Sequence, residues 1–204
     1  SKGLNVSSEG IPYPVFALSG LIIWNIFSTG LLNSANSMVT NANIIKKIYF
    51  PRLIIPMSSI LTALFDFCFA LVVYIGVVIW FNHDTDWLRV LYCLPVSILL
   101  TVFTTFGLGT FLAALNVKYR DFQYIIPFLI QFLLFVNPVL YSSKIFQEGI
   151  LGWIMRLNPL ANAINLSRSA FTGNPIDWIG VLYSFGVALI FFLVGIYTFR
   201  KTEA

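Results

Sequence analysis

Apolar positions fall into five long runs: Val15 to Met38, Pro56 to Phe81, Leu88 to Leu115, Tyr124 to Tyr141 and Trp178 to Phe199. A helix needs roughly 20 predominantly apolar residues to cross a bilayer core, so each run predicts a membrane span. The first run turns polar in its second half, at Asn33, Ser34, Asn36 and Ser37. Lipid cannot satisfy those groups, so that end of the helix is expected to face protein or a water-filled path. Alternating strands of roughly 10 residues, the mark of a membrane barrel, are absent from the pattern. The predicted fold class is all-α: a polytopic bundle of five spans, forming one transmembrane domain over residues 1–204.

Two polar connections also carry helical periodicity. Between the first two spans, Ile44 and Ile48, with Ile45 and Tyr49, recur at a spacing that gives a short helix one apolar face, with Lys46 and Lys47 on its other side. Asn41 or Asn43 can cap its start, and Pro51 stops it by restricting Phe50. Between the last two spans, Ser142 to Pro175 is too polar to cross. Its apolar residues nevertheless recur as Ile145, Phe146, Ile150, Trp153, Ile154 and Leu157, then Leu160, Ile164, Leu166 and Phe171. Asn158-Pro159 divides two short helices and Gly173-Asn-Pro closes the second. Amphipathic helices of this kind are expected to dip into the outer leaflet as a hairpin or to lie upon it.

Composition confirms the membrane reading. Hydrophobic residues make up 58% of the chain and charged residues 10%, against about 25% charged in a soluble domain. So little charge cannot coat a surface of this size, which excludes a cytosolic enzyme, a disulfide scaffold and a disordered tail. The net charge of +4 is not clustered as a nucleic-acid footprint. Cys68 and Cys93 both lie inside apolar runs and read as small buried hydrophobes, not a redox pair or metal site. The chain starts at Ser1, not Met, and therefore reads as a fragment or processed product.

Charge placement sets orientation. Lys46, Lys47 and Arg52 follow the first span, Lys118 and Arg120 the third, and Arg200 and Lys201 the fifth, with only Asp121 and Glu203 as acids beside them. On the other side Lys2, Arg89, Lys144, Arg156 and Arg168 are matched by Glu9, Asp84, Asp86, Glu148 and Asp177. The basic side is cytoplasmic by the positive-inside rule, and with it the C-terminus. Trp80, Trp87, Trp153 and Trp178 then fall at outer ends and Tyr49, Tyr119 and Tyr124 at inner ends, as interface anchors do; some of these rings are alternatively candidates to line a path and stack on sugars.

Asp66 is the only acid or base well inside a predicted span. A carboxylate there costs at least ~2.5 kcal/mol, so it should face other helices or water, bonded to neighbours such as Thr62. It reads as structural glue or, alternatively, as the proton-coupling group of a secondary transporter; such a transporter predicts internal repeats, which the sequence does not show. His83-Asp-Thr-Asp86 holds the lone His in an outer turn with too few nitrogen or sulfur donors for a zinc site. No phosphate loop of the Gly-x-x-x-x-Gly-Lys-Ser/Thr type occurs and no nucleophile–His pairing stands out. Neither catalysis nor a metal is expected in this chain.

Four stretches, in order along the chain, carry a family resemblance: Asn41-Ala-Asn-Ile-Ile-Lys-Lys-Ile-Tyr-Phe-Pro-Arg52, Leu115-Asn-Val-Lys-Tyr-Arg-Asp-Phe122, Asn137-Pro-Val-Leu-Tyr141 and Asn158-Pro-Leu-Ala-Asn162. The chain closely resembles the permease subunits of type-2 ABC exporters, and among them the bacterial polysaccharide exporters that move O-antigen, capsule or teichoic acid chains. That family usually has six spans and an N-terminal interfacial helix; relative to it this chain lacks the first span and that helix.

The resemblance implies a permease in the bacterial inner membrane. It would pair with a second copy of itself and with two ATPase subunits, which carry ATP and Mg, and move a lipid-linked glycan outward. It implies that Asn43, Ile44, Ile45, Lys46, Lys47, Ile48 and Tyr49 form the coupling helix seated in the ATPase. The loop Lys118, Tyr119, Arg120 and Asp121 would face the same partner. The helices around Trp153, Asn158 and Pro159 would stand near the exit of the export path. The same residues allow plainer readings: a positively charged topology anchor for the two inner loops and an interfacial cap for the outer helices. A drug or lipid cargo within the same family is the remaining alternative.

Overall fold

The computed structural model describes residues 12–47, 51–81, 85–119, 121–142 and 149–203. Among them every regular element is helical: α1 (Tyr13–Thr40), α2 (Ala42–Ile45), α3 (Ile54–Trp80), α4 (Trp87–Lys118), α5 (Phe122–Val136), α6 (Gly149–Leu157), α7 (Pro159–Thr172) and α8 (Trp178–Glu203). Helices α1, α3, α4 and α8 are each long and apolar enough to cross a bilayer, and the chain is a multi-pass membrane protein.

The fourth apolar run is realised as a shorter helix. α5 has 15 residues, about 22 Å at 1.5 Å per residue, against a core of about 30 Å. Pro138 is the reason: it forces Asn137 into extended backbone (φ −84°, ψ 145°), and the Asn137 side chain donates to the Leu133 carbonyl at 2.7 Å, closing the last turn. The apolar residues from Val139 to Tyr141 continue the hydrophobic run in the sequence but not the helix.

Helices α1, α4 and α8 run parallel and form the centre. Gly30 and Ser34 of α1 face Thr105 and Gly109 of α4, while Gly107 of α4 meets the Phe191 and Phe192 backbone of α8, and Gly195 meets Gly107 and Thr110. Apolar burial does little to join helices that are already in lipid, so close backbone approach over small residues is the effective glue. At Gly107 or Gly195 a Cβ would collide with backbone, which cannot yield. The buried hydroxyls of α4 turn inward on their own helix: Thr101, Thr104 and Thr105 donate to the carbonyls four residues earlier at 2.7–2.8 Å.

α3 runs antiparallel to α1, with the Tyr74 hydroxyl donating to the Val15 carbonyl at 3.2 Å. The polar end of α1 packs as expected: Ser34 and Ser37 are buried, and Asn116 of α4 donates to the Ala35 carbonyl (3.2 Å) and to Asn36 Oδ1 (3.0 Å). Trp80, Trp87 and Trp178 stand exposed at one end of the bundle, and Tyr119 and Tyr124 at the other.

Of the two placements that their amphipathicity predicts, the outer helices take the hairpin. α7 is buried along almost its whole length, packed among α1, α4 and α8. Its residues meet α1 in reverse order, Ile164 beside Gly20 and Arg168 over Phe16. α6 and α7 therefore form a re-entrant hairpin that turns at Asn158-Pro159. Asn162 reaches Ser184 of α8 at 2.7 Å, six residues into that helix, which puts the turn roughly 10 Å below the helix start. The two cysteines also separate: Cys93 is buried as expected, whereas Cys68 lies on the exposed face of α3.

Candidate functional site

The functional candidates gather at the two ends of the bundle, inner and outer in the orientation that the basic residues predict. At the inner end α2 follows α1 almost without interruption. The Asn41 carbonyl accepts from the Ile44 and Ile45 amides, and the Asn41 side chain donates to the Ser37 carbonyl at 2.8 Å. The described helix, Ala42–Ile45, is shorter than the predicted segment; Lys46 and Lys47 form a turn after it, and Ile48 and Tyr49 lie outside the described residues. The expected single apolar face divides. Ile45 packs against a small cluster of Met38, Ile55, Ala113, Ala114 and Phe199 that gathers the inner ends of α1, α3, α4 and α8. Ile44 points away and is 52% exposed, beside exposed lysines. This inner foot is thus tied to four helices and still presents an oily, basic tip that none of the described residues covers.

The second inner loop lies at the same end. Lys118 closes α4, its ammonium 5.3 Å from the Tyr119 ring, which in turn contacts Phe122. Asp121 is exposed, neither caps α5 with its side chain nor forms an ion pair with Lys118, and Arg120 lies outside the described residues.

At the outer end two of the family-like stretches, 21 residues apart, meet directly. Asn158 caps α7 by accepting from the Leu160 amide at 3.0 Å, and its own amide donates to Asn137 Oδ1 at 2.9 Å. Asn162, four residues on, donates to the Arg156 carbonyl at 2.8 Å and to Ser184 Oγ at 2.7 Å. The break after α5, the hairpin turn and α8 are thereby joined through three amides. Pro159 holds the first helical position, where its missing N–H costs nothing, and Gly173 ends α7 in the left-handed conformation (φ 73°) that favours glycine. Trp153 stands on the outward face of α6, 63% exposed.

Arg168 does not stay on the surface of that end. The charge pattern counts it among five basic residues there, and the structure buries it inside the bundle, at 4% exposure. Its guanidinium donates to the carbonyls of Pro138 (3.2 Å), Val139 (2.9 Å) and Tyr141 (3.4 Å) and lies 3.7 Å from the Phe16 ring centroid. A planar donor fork with an aromatic face suits this niche, where the carbonyls freed by the Asn137-Pro138 break need donors. Gly20 of α1 makes the room: a Cβ there would press on the Val139 carbonyl and the guanidinium.

The other predicted charge contacts resolve individually. Arg156 and Asp177 approach at 3.7 Å on the surface, a weak pair by exposure. Asp86 caps α4, and Arg89 donates to the Gly173 and Asn174 carbonyls at 2.6 Å each. Lys2, Glu9, His83, Asp84, Lys144 and Glu148 lie outside the described residues.

Two surfaces face away from the bundle. Asp66 does not turn toward the chain's own helices: it is exposed on α3 near Phe65 and Phe69, and Thr62 donates instead to the Ser58 carbonyl at 3.1 Å. α5 buries only Ile126; Tyr124, Phe128, Phe132 and Phe135 form an outward aromatic stripe, with Gln131 exposed beside them.

The chain is 32% identical over 193 residues to the O-antigen export system permease protein RfbA of Klebsiella pneumoniae, covering 94% of this chain and 73% of that protein. It is 30% identical over 168 residues to the RfbA of Myxococcus xanthus, covering 81% and 64%, and 23% identical over 201 residues to the polysialic acid transport protein KpsM of Escherichia coli, covering 95% and 74%. The family model described as ABC-2 type transporter matches residues 2–172, from before α1 to the end of the re-entrant hairpin. The chain belongs to the ABC-2 type transporter family.

Proposed function

We propose that this chain is the permease half of an ATP-driven exporter that moves a lipid-linked polysaccharide outward across the bacterial inner membrane. Two copies enclose the path, and two ATPase subunits, carrying ATP and Mg, bind the cytoplasmic face where the C-terminus also lies. The observation that carries this reading is the inner foot. An element fastened to four helix ends yet exposing Ile44, Lys46 and Lys47 can receive a push and deliver it to the whole bundle, which a loose loop cannot. The loop Lys118–Asp121 adds a second contact on the same face. The names of the relatives support a glycan cargo, and so does the α5 stripe, since aromatic faces without charge stack on sugar rings and tolerate changes in sequence. On this reading the lipid tail stays in the bilayer while the glycan passes between the protomers, and the re-entrant hairpin stands at the exit.

The test is Ile44→Asp in cells that make the glycan. The variant inserts and folds normally, loses the co-purifying ATPase and cuts surface polysaccharide more than tenfold. Wild-type export by that variant would overturn the coupling role. A proton-coupled transporter instead predicts loss of export on Asp66→Asn, with no stoichiometric ATPase co-purifying.

A further inference from the structure

Between the inner ends of α1 and α5 lies a cleft of about 350 Å³, lined by Asn36, Val39, Thr40, Gln123 and Tyr124. Its size is at the lower end of the roughly 300–1,000 Å³ of small-molecule sites. Its lining is unusual for a protein of this composition, with two amides, one hydroxyl and one phenol around a single aliphatic side chain. None of the five is charged, although Lys46, Lys47 and Lys118 stand on the same face of the bundle. The helix termini do not bias the cleft toward an anion either, because the C-terminal end of α1 and the N-terminal end of α5 bring partial charges of opposite sign.

We infer that this cleft is a subsite for a neutral sugar ring at the cytoplasmic mouth of the path, with Tyr124 as its stacking platform and Asn36 and Gln123 as its hydroxyl readers. An amide offers a donor and an acceptor side by side, the pattern that a vicinal pair of sugar hydroxyls complements. Asn36 Oδ1 is already held by Asn116 Nδ2 at 3.0 Å, so that amide is oriented before any ligand arrives. Tyr124 is 75% exposed, so the face of its ring is open to a ligand. It is also the first member of the stripe that continues through Phe128, Phe132 and Phe135, so a sugar released from the cleft meets the next aromatic face one helical turn away. A phosphate or pyrophosphate group would find no cation among these five side chains, which separates this position from the one that receives a charged lipid headgroup.

This inference rests on the proposed export function and is tested apart from it, with the intact permease in complex with its ATPase in glycan-producing cells. Tyr124 is replaced by photoreactive p-benzoylphenylalanine, and cross-linked permease is stained for carbohydrate by periodate oxidation and hydrazide labelling. The expected result is a carbohydrate-positive ladder that disappears in a host unable to make the glycan. Tyr124→Ala and Gln123→Leu are each expected to lower export at least tenfold with the ATPase still bound, whereas Tyr124→Phe, which keeps the ring, stays within twofold. Cross-links to protein or lipid alone, or export within twofold by Tyr124→Ala, overturn the subsite and leave the exporter reading standing. Failure of the unsubstituted complex to export any polysaccharide removes the exporter reading, and the subsite with it.

Discussion

The outer and inner ends of this bundle solve opposite problems. At the outer end a chain break, a hairpin turn and a buried cation are answered from within: Arg168 serves three carbonyls, and Asn137, Asn158 and Asn162 complete one another and reach Ser184. At the inner end the reverse holds. Ile44, Asp121 and Tyr124 are exposed, and α2 packs inward through Ile45. A hydrogen-bonded polar network specifies one arrangement and resists change, whereas an exposed oily and basic tip is a surface waiting for another molecule. The difference assigns rigidity to one end and reception to the other.

That contrast can be broken most severely at Arg168. Arg168→Met leaves the Pro138 and Val139 carbonyls without their donor in a dry site and is expected to cost about 3 kcal/mol or more, since each buried orphan costs roughly 1–3. Thermal unfolding in detergent, with proteolysis between α5 and α6, measures it. Arg168→Lys should recover only part, because an ammonium cannot span the carbonyls or lie flat on Phe16. Unchanged stability in Arg168→Met would mean that the outer end is not held from within.

A middle-sized effect sharpens the comparison at the foot. Ile45→Asp places a carboxylate against the inner cluster and should destabilise the bundle by about 1–3 kcal/mol. Ile44→Asp should be near neutral in the same thermal assay while abolishing ATPase capture. Equal destabilisation by the two would contradict the split face of α2. A change smaller than that of Ile45→Asp is expected from Asn158→Ala, which removes the cap of α7 and the link to Asn137 for about 1 kcal/mol. Hydrogen exchange confined to the first turn of α7 is its signature; exchange spreading through α4 and α8 would show that the outer network reaches further than its hydrogen bonds do.

Much of this arrangement is visible in the linear pattern. The long helices follow from apolar length, the caps and stops from Asn158-Pro159 and Gly173, and the need of the polar half of α1 for protein neighbours from its asparagines and serines. The inner foot is legible as a segment, but not in its orientation, because Ile44 and Ile45 are chemically identical and only the cluster under Ile45 separates them. Cys68 and Cys93 make the same point: both sit in apolar helices, one facing outward and the other inward. Arg168 was not visible at all. Its stretch reads as an amphipathic helix of the outer side, and the carbonyls that hold it come from a break about 30 residues earlier whose geometry depends on Pro138.

By itself, then, the sequence determined that this protein is a helical membrane bundle, roughly where its long helices run, and which side carries the positive charge. Those properties depend on local composition and backbone sterics, which neighbours in the chain settle. Tertiary structure alone decided that α7 enters the bundle instead of floating on it, that Arg168 is buried, that Asp66 and the α5 rings face outward, and that a neutral cleft opens between α1 and α5. Each of these depends on which surfaces distant segments present to one another, and in lipid that choice is made by close packing and hydrogen-bond satisfaction, not by hydrophobicity, which every helix shares.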